Sequence, residues 1–159
     1  LEASRRSVRS EVDFVLTFEE IGAMFEAKGI DFASLKPDEA DPFTQASSDG
    51  RGFAVSGGVA KAVVNCIKAK EPEREVLVES AEGLANCKKM LKLAKSGKYD
   101  GYLLEGMACP GGCVAGAGTL LPITRATTAV KKYTNSSDKL NANDSKYKDY
   151  LERLIEEYK

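Results

Sequence analysis

Hydrophobic and polar positions along the chain predict strands that alternate with helices. Apolar runs of strand length occur at three places: Glu11–Leu16, Glu75–Glu79 and Tyr99–Leu104. Apolar residues three and four positions apart predict helices at three others: Phe18–Lys28, Val59–Lys70 and Gly83–Ser96. Because this alternation favours parallel strands joined by right-handed crossovers, we expect an α/β fold with a small, mostly parallel sheet flanked by helices.

Local residue signals agree with these helix boundaries. Thr17 and Glu20 have the spacing of a capping box, with a hydroxyl at the helix start and a carboxylate three residues later. Gly29 and Gly97 stand where the first and third helices should end. Residues 30–53 are rich in Pro, Asp, Ser and Gly, which predicts a long loop with at most a short turn of helix.

The last third of the chain adds helices without indicating a second core. A helix is predicted from Pro122 to Tyr133, followed by a polar loop at Asn135–Asp144. One apolar stripe predicts a final amphipathic helix: Tyr147, Tyr150, Leu151, Leu154, Ile155 and Tyr158. We therefore predict a single α/β lobe over residues 11–159, preceded by a tail or fragment boundary at residues 1–10.

Composition narrows the function classes. The 159 residues carry 23 basic and 24 acidic side chains, so nucleic-acid binding through bulk charge is not expected. No apolar run reaches membrane-spanning length, and residues 1–10 lack the apolar centre of a secretory signal. We therefore expect a cytoplasmic protein with no membrane partner. Because the chain begins at Leu1 rather than Met, we also expect it to be a piece of a longer protein.

The His and Cys content of the chain excludes several kinds of metal and catalytic site. The chain has no His, which excludes His-based zinc sites and the Ser-His-Asp triad. It has four cysteines, and in a chain of this size without an export signal they favour metal or core roles over disulfides. Cys66 and Cys87 lie on apolar helical faces, so we expect both to be small buried hydrophobic side chains.

The other two cysteines, Cys109 and Cys113, lie in a glycine-rich loop directly after a predicted strand. Open α/β sheets bind ligands at this end of their strands, and thiolates suit iron–sulfur clusters and soft metals. We expect the amides of Gly111, Gly112 and Cys113, and a helix beginning near Val114, to point at an anionic cluster. Two thiols are half of what a cubane cluster needs.

Two neighbouring segments have both a structural and a functional interpretation. The glycine-rich turn at Phe53–Gly58 is expected to be a helix entry with Ser56 as N-cap, unless it lies beside the cysteine loop and faces a ligand. Glu105 and Met107 alternate along a strand and should share a face. Glu105 is expected to be a solvated charge, and Met107 a core side chain, if neither has a role in the site.

Five segments resemble, in their order along the chain, the signatures of one family. Glu105–Gly118 reads EGMACPGGCVAGAG and resembles the motif E-x-M-A-C-P-G-G-C-x-x-G-G-G-Q-P of the iron-only (FeFe) hydrogenases. Three further resemblances support it: Asp13–Thr17 with Ile30–Phe32 (D-x-V-L-T and G-I-D-F), Phe53–Val59 (F-G-x-[ST]-G-G-V) and Gly83–Leu91 (G-L-x-N-A-x-x-L-L). Together they cover most of the chain, and the cysteine motif is the specific one.

The resemblance implies one lobe of a two-lobed domain that holds the H-cluster between its lobes. In this family the H-cluster is a 4Fe-4S cubane joined through a cysteine sulfur to a two-iron subcluster, and it interconverts dihydrogen with protons and electrons. By resemblance, Cys109 ligates the cubane and Cys113 is the bridging thiolate. Met107 then lies beside the two-iron subcluster, and Phe53 lines its pocket.

Two departures from the family pattern add further expectations. The other cubane cysteines of the family come from earlier signatures, T-S-C-x-P and M-P-C, which this chain lacks. We therefore expect the isolated chain to be metal-free and inactive, and to need the N-terminal lobe of its parent. Gly116–Pro122 replaces G-G-G-Q-P, which fits a divergent, sensory branch of the family as well as a hydrogen-evolving one, and Ala54 stands where the family usually has a glycine that allows close backbone approach.

Three interpretations remain open. In the first, the parent is a hydrogenase or hydrogen sensor that exchanges electrons with a ferredoxin-like carrier. In the second, it is a non-catalytic iron–sulfur scaffold or assembly protein of the same fold, as in eukaryotic relatives. In the third, all four cysteines form a disulfide or zinc module. A homodimer of the fragment is a further expectation, because an apolar face would lie uncovered without the other lobe.

Overall fold

The computed structural model describes residues 12–36, 46–145 and 147–157, with the backbone alone at 150–152. The chain divides into two compact units, residues 1–37 with 117–120 and residues 38–116 with 121–159. The predicted tail at residues 1–10 lies outside the described residues. The assignment of residues 11–159 to one lobe stays a prediction.

The first unit contains one α-helix, α1 (Phe18–Ala27). Its capping box is confirmed: the amide of Glu20 donates to the Thr17 hydroxyl at 3.2 Å, and the amide of Thr17 donates to the Glu20 carboxylate at 2.6 Å. The ring of Phe25 stacks on Phe32, with 5.8 Å between the ring centroids. Gly118 also belongs to this unit and packs so closely on Thr17 that a β-carbon there would collide with the Thr17 side chain.

The strand predicted at Glu11–Leu16 is wrong over its described part. Residues 12–16 form no strand, and Phe14 and Val15 are 81% and 64% exposed. A strand is defined by hydrogen bonds to a neighbour, and the described part of this unit contains no other strand to supply them. The apolar alternation alone was therefore an insufficient signal.

The second unit contains a two-stranded parallel sheet, β1 (Val78–Glu82) and β2 (Leu103–Met107). The register runs from Val78 opposite Leu103 to Glu82 opposite Met107. The parallel pairing is confirmed, but both strands begin three or four residues later than the apolar runs that predicted them. Pairing between the strands, rather than hydrophobicity within each, sets these boundaries.

Helices connect and cover this small sheet. The predicted helices are confirmed, with ends that shift by one or two residues, and a four-residue helix, Ser48–Arg51, falls within residues 30–53, where a loop with at most a short turn of helix was predicted. The α-helices of the second unit are α2 (Ser48–Arg51), α3 (Gly58–Lys70), α4 (Leu84–Lys95), α5 (Ile123–Asn135) and α6 (Lys148–Glu157). Gly97, with φ of +84°, follows the end of α4 as predicted.

Helices α3 and α4 pack on opposite faces of β2. The side chain of Glu105 reaches the start of α3. A β-carbon on the next residue, Gly106, would lie 3.3 Å from the sulfur of Cys87 in α4. Because consecutive strand residues point to opposite faces, the two helices must lie on different sides of the sheet.

The buried apolar core of the described residues is small. Its members are Ala60, Ala62, Met90 and Val114. The apolar residues at helical spacing that predict α4 include Leu84 and Leu91, yet these two are 74% and 60% exposed, and Met90 is buried instead. Helical spacing identified a stripe correctly, but the position of the sheet selects which edge of that stripe is covered.

Candidate metal centre

The cysteine loop begins where β2 ends and turns sharply on two glycines. Gly111 and Gly112 both have φ of +93°, a conformation that side-chain-bearing residues rarely adopt. The loop then enters a 3-10 turn, Cys113–Ala115, rather than the α-helix expected near Val114. A single turn of three residues has little dipole, so the predicted helix end directed at a cluster is wrong.

The glycine-rich turn at residues 53–57 lies directly against this loop. A β-carbon on Gly112 would come within 2.6 Å of the Ser56 nitrogen and 2.8 Å of the Ala54 oxygen. Two backbone hydrogen bonds join the segments: the Ser56 amide donates to the Gly111 carbonyl, and the Val114 amide donates to the Ala54 carbonyl, both at 3.1 Å. The condition for a ligand-facing turn, that it lie beside the cysteines, is therefore met.

Glu105 holds this turn in place. Its side chain is buried, and its two carboxylate oxygens accept hydrogen bonds from the amides of Gly57 at 2.6 Å and Ala60 at 3.0 Å. The N-cap of α3 is Gly57, which has no side chain to cap the helix. Two expectations are thus wrong: Ser56 does not cap α3, and Glu105 is not a solvated charge.

The loop amides already have partners within the protein. The Gly111 amide donates to the exposed Glu82 carboxylate at 3.1 Å, and the Gly112 amide donates to the Cys109 carbonyl at 2.9 Å. These bonds fix the shape of the turn between the two cysteines. Amide bonds from Gly111 and Gly112 to a cluster stay a prediction, and Gly111 would have to exchange Glu82 for it.

Cys109 is half-buried and Cys113 is exposed, and both are free thiols. In the part of the chain that the structure describes, no three His, Cys, Asp or Glu side chains are grouped closely enough to hold a metal ion. Two soft donors on a tightly turned loop fit one side of an iron–sulfur ligand set. They do not complete it.

Cys66 and Cys87 do not join them. Cys66 belongs to α3 and Cys87 to α4, on opposite faces of β2. The Cys87 thiol contacts the carbonyls of Ala81 and Met107 at 3.5 Å each, which is typical of a structural thiol in a packed helix. This separation argues against a zinc site built from all four cysteines, and all four are free thiols.

Met107 and Phe53 line two neighbouring cavities in the second unit. Met107 borders one of about 280 Å³ between β2 and α3. Phe53 is 46% exposed and borders another of about 390 Å³, beside Cys66 and Ile67. Val63 lines both cavities. A shared pocket for Met107 and Phe53 around a two-iron subcluster therefore stays a prediction.

Sequence reasoning missed the two carboxylates that hold the site. Glu105 had one usable signal: it alternates with Met107 and so shares the sheet face that carries α3. Glu82 had none, because it lies 29 residues before the amide that it accepts from. Only the pairing of β1 with β2 brings Glu82 opposite Met107, at the start of the cysteine loop.

The comparison with protein families agrees with this geometry. The family described as "Iron only hydrogenase large subunit, C-terminal domain" matches residues 1–117, well over half of the chain. The chain belongs to this family. The match includes the turn at residues 53–57, Glu105 and both loop cysteines, so the resemblance read from the motifs is confirmed. The α/β class with a small parallel sheet is confirmed as well.

Individual hydrogenases and one plant protein are similar to this iron-only hydrogenase domain. The periplasmic [Fe] hydrogenase large subunit of Nitratidesulfovibrio vulgaris is 30% identical over 135 residues, which cover 68% of this chain and 32% of that protein. The NADP-reducing hydrogenase subunit HndD of Solidesulfovibrio fructosivorans is 29% identical over 135 residues, which cover 68% of this chain and 23% of that protein. Protein NAR1 of Arabidopsis thaliana is 29% identical over 146 residues, covering 72% and 31%.

The chain thus spans between about a quarter and a third of the length of these curated relatives. Among the helices that the structure describes, none is long and apolar enough to cross a membrane. One relative is named as periplasmic, so the expected cytoplasmic location stays a prediction.

Proposed function

We propose that this chain is the C-terminal lobe of a domain that holds an iron–sulfur active centre of the hydrogenase type. Cys109 and Cys113 are the ligands it contributes, and the N-terminal lobe of the parent supplies the others. The geometry of the cysteine loop supports this proposal. Two free thiols flank a turn of two glycines, and this turn is hydrogen-bonded to the 53–57 turn.

The residues of this chain have distinct tasks in that proposal. The two thiols lose their protons to bind iron, which makes cluster uptake depend on pH. Gly112 lets the loop backbone lie flat on Ala54 and Ser56, where any side chain would collide. Met107, the last residue of β2, would lie beside the two-iron subcluster, and Phe53 would line its pocket. When bound, the iron centre supplies electron transfer and hydrogen binding, which no side chain provides.

Two thiols leave the remaining iron positions to the N-terminal lobe, so the isolated chain should not retain a cluster. The parent would then interconvert dihydrogen with protons and electrons, or sense hydrogen, and would exchange electrons with a ferredoxin-like carrier. Similarity to two hydrogenase subunits supports this role. The cofactor of the parent would be a 4Fe-4S cubane with a two-iron subcluster.

A spectroscopic experiment tests the proposal. The chain alone and the longer gene product are each treated with iron and sulfide without oxygen, and the gene product is also matured in cells. The gene product should hold iron–sulfur, with infrared bands of iron-bound carbonyl and cyanide, whereas the chain alone should lose its iron on desalting. Absence of iron–sulfur from the matured gene product would contradict the proposal.

Matched serine variants assign the ligands. Cys109→Ser and Cys113→Ser in the gene product should abolish the iron–sulfur absorption. Cys66→Ser and Cys87→Ser remove thiols that belong to helices α3 and α4 rather than to the loop, and they should leave the iron–sulfur absorption intact. If instead the Cys66 or Cys87 variant lost the cluster while the loop variants kept it, the ligand assignment would be wrong.

The second candidate function is a non-catalytic iron–sulfur scaffold. It is favoured by the similarity to a plant protein, since eukaryotic relatives supply the precedent, and by Ala54 and Gly116–Pro122, which depart from the hydrogenase pattern. The same infrared experiment separates the two functions. A cubane signal without carbonyl and cyanide bands would favour the scaffold.

A further inference from the structure

We infer that Glu105 is a positioning residue for the cysteine loop. Its buried carboxylate fixes the 53–57 turn on which the loop lies, and so determines how far Cys109 and Cys113 are exposed. This inference rests on the proposed function only for the reason why the loop is positioned, which is to bind iron. The effect of Glu105 on the loop is a property of the protein without iron and is tested there.

The Glu105 carboxylate makes two strong hydrogen bonds. Glu105 is 7% exposed, and each of its oxygens accepts from a different amide, those of Gly57 and Ala60. A buried carboxylate costs free energy unless its oxygens are satisfied, and charge-assisted bonds as short as 2.6 Å are among the stronger ones. Glu105 is therefore held firmly, and it holds the two amides in turn.

No neighbouring side chain takes the place of Glu105 at the start of α3. Gly57 is the N-cap, with φ of +84° and no capping side chain. Gly58 packs against the Gly52 carbonyl so closely that a β-carbon there would collide with it. Neither glycine has a side chain that could cap the helix, and a residue 48 positions after Gly57 accepts hydrogen bonds from the helix-start amides instead.

Backbone hydrogen bonds join the turn to the cysteine loop. Ser56 and Ala54 form the two backbone hydrogen bonds to the loop, and Gly112 is buried against them. Movement of the turn therefore displaces Gly111 and Gly112, which lie between the two thiols. Cys109 is the half-buried member of the pair, so its accessibility should report on any loosening of this packing.

Glu82 also contacts the loop, but it cannot take over this role. It makes one bond, to the Gly111 amide, from an exposed position. Exposed contacts of this kind contribute little and exchange readily with water. The buried bonds of Glu105 are the ones whose loss the surrounding structure cannot replace.

The test measures alkylation of the four cysteines in the metal-free chain, resolved by peptide mass spectrometry. In Glu105→Gln, an amide group faces the backbone donors and one carboxylate bond is lost. The rate at Cys109, relative to Cys66 and Cys87 in the same molecule, should rise roughly fivefold, the effect of losing one hydrogen bond on a local equilibrium. Glu105→Asp keeps the charge but shortens the side chain. The relative alkylation rate at Cys109 should rise less in this variant than in Glu105→Gln.

The matched control is Glu79→Gln. It makes the same chemical change on the neighbouring strand, where the carboxylate accepts from the Tyr99 hydroxyl rather than from the turn. The Cys109 ratio should stay unchanged in this variant. Equal acceleration of all four thiols in Glu105→Gln would indicate general loosening, and an unchanged ratio would indicate no positioning; either result overturns the inference.

A measurement on the unmodified chain covers the case in which Glu105→Gln does not fold. The amides of Gly57 and Ala60 should exchange with deuterium far more slowly than the first amides of α5, whose N-cap, Pro122, makes no side-chain cap. Equal exchange at the two helix starts would contradict a fixed turn. Failure of the gene product to bind iron would refute the proposed function while leaving this result standing.

Discussion

At the scale of single residues, the site depends on positions where a side chain is missing. Gly112 brings the cysteine loop into contact with the Ala54 carbonyl and the Ser56 nitrogen, distances at which a β-carbon has no space. Gly118 does the same against Thr17 in the first unit. Two segments that resemble family signatures, the end of D-x-V-L-T and the end of the cysteine motif, thus meet at a glycine.

We predict that Gly112→Ala destabilises the second unit more than Gly101→Ala does. Both glycines have positive φ, +93° and +79°, but a β-carbon on Gly101 meets nothing within 4 Å. Gly101→Ala should therefore cost only the backbone strain, about 1–2 kcal/mol. Gly112→Ala should add an overpacking cost of about 1–3 kcal/mol. Urea unfolding measures both, and equal losses would show that the loop moves away from the turn without cost.

At the scale of elements, the starts of two helices are stabilised in different ways. Helix α1 is capped by its own residues, Thr17 and Glu20, and the sequence alone predicted this. Helix α3 is capped by Glu105 from the neighbouring strand, which no local pattern indicated. The second arrangement ties the helix to the sheet, and therefore ties the 53–57 turn to the strand that carries the cysteine loop.

We predict that Thr17→Ala weakens α1 by about 1 kcal/mol, because the hydroxyl that accepts from the Glu20 amide is lost. Thr17→Ser is the matched control, since it keeps the hydroxyl and removes only the methyl group next to Gly118. Hydrogen exchange across Phe18–Ala27 measures the helix directly. Equal exchange in the alanine and serine variants would show that the methyl contact, not the cap, stabilises the helix start.

At the scale of the whole molecule, the described residues bury little and expose much. Four apolar side chains are buried, whereas large apolar residues such as Phe14, Phe32, Leu84 and Leu91 are between 60% and 81% exposed. Large exposed apolar areas mark interaction surfaces in soluble proteins. This agrees with the proposal that a second lobe normally covers part of this chain.

We predict that the isolated chain associates with itself, as a homodimer or larger, and binds an apolar dye. Sedimentation at several concentrations should show a mass that rises with concentration, and the association should persist in about 1 M salt because apolar contacts are not screened. Co-expression with the N-terminal lobe should reduce it. A monomer at every concentration, without dye binding, would contradict this prediction.

The sequence by itself determined the features that depend on residues close together in the chain. Helix periodicity, the Thr17–Glu20 capping box, the parallel α/β alternation and the family motif around Cys109 and Cys113 all arise from neighbours a few positions apart. Such features can be predicted from a single sequence because the residues that interact lie within a few positions of one another in the chain.

Only the tertiary structure decided what depends on distant partners. In the structure the two strands pair in the register that brings Glu82 opposite Met107, and residues 12–16 form no strand. Helices α3 and α4 lie on opposite faces of β2. It also turned Glu105 inward to the amides of Gly57 and Ala60. Strand pairing and burial are set by groups tens of residues apart, so no local pattern in this chain records them.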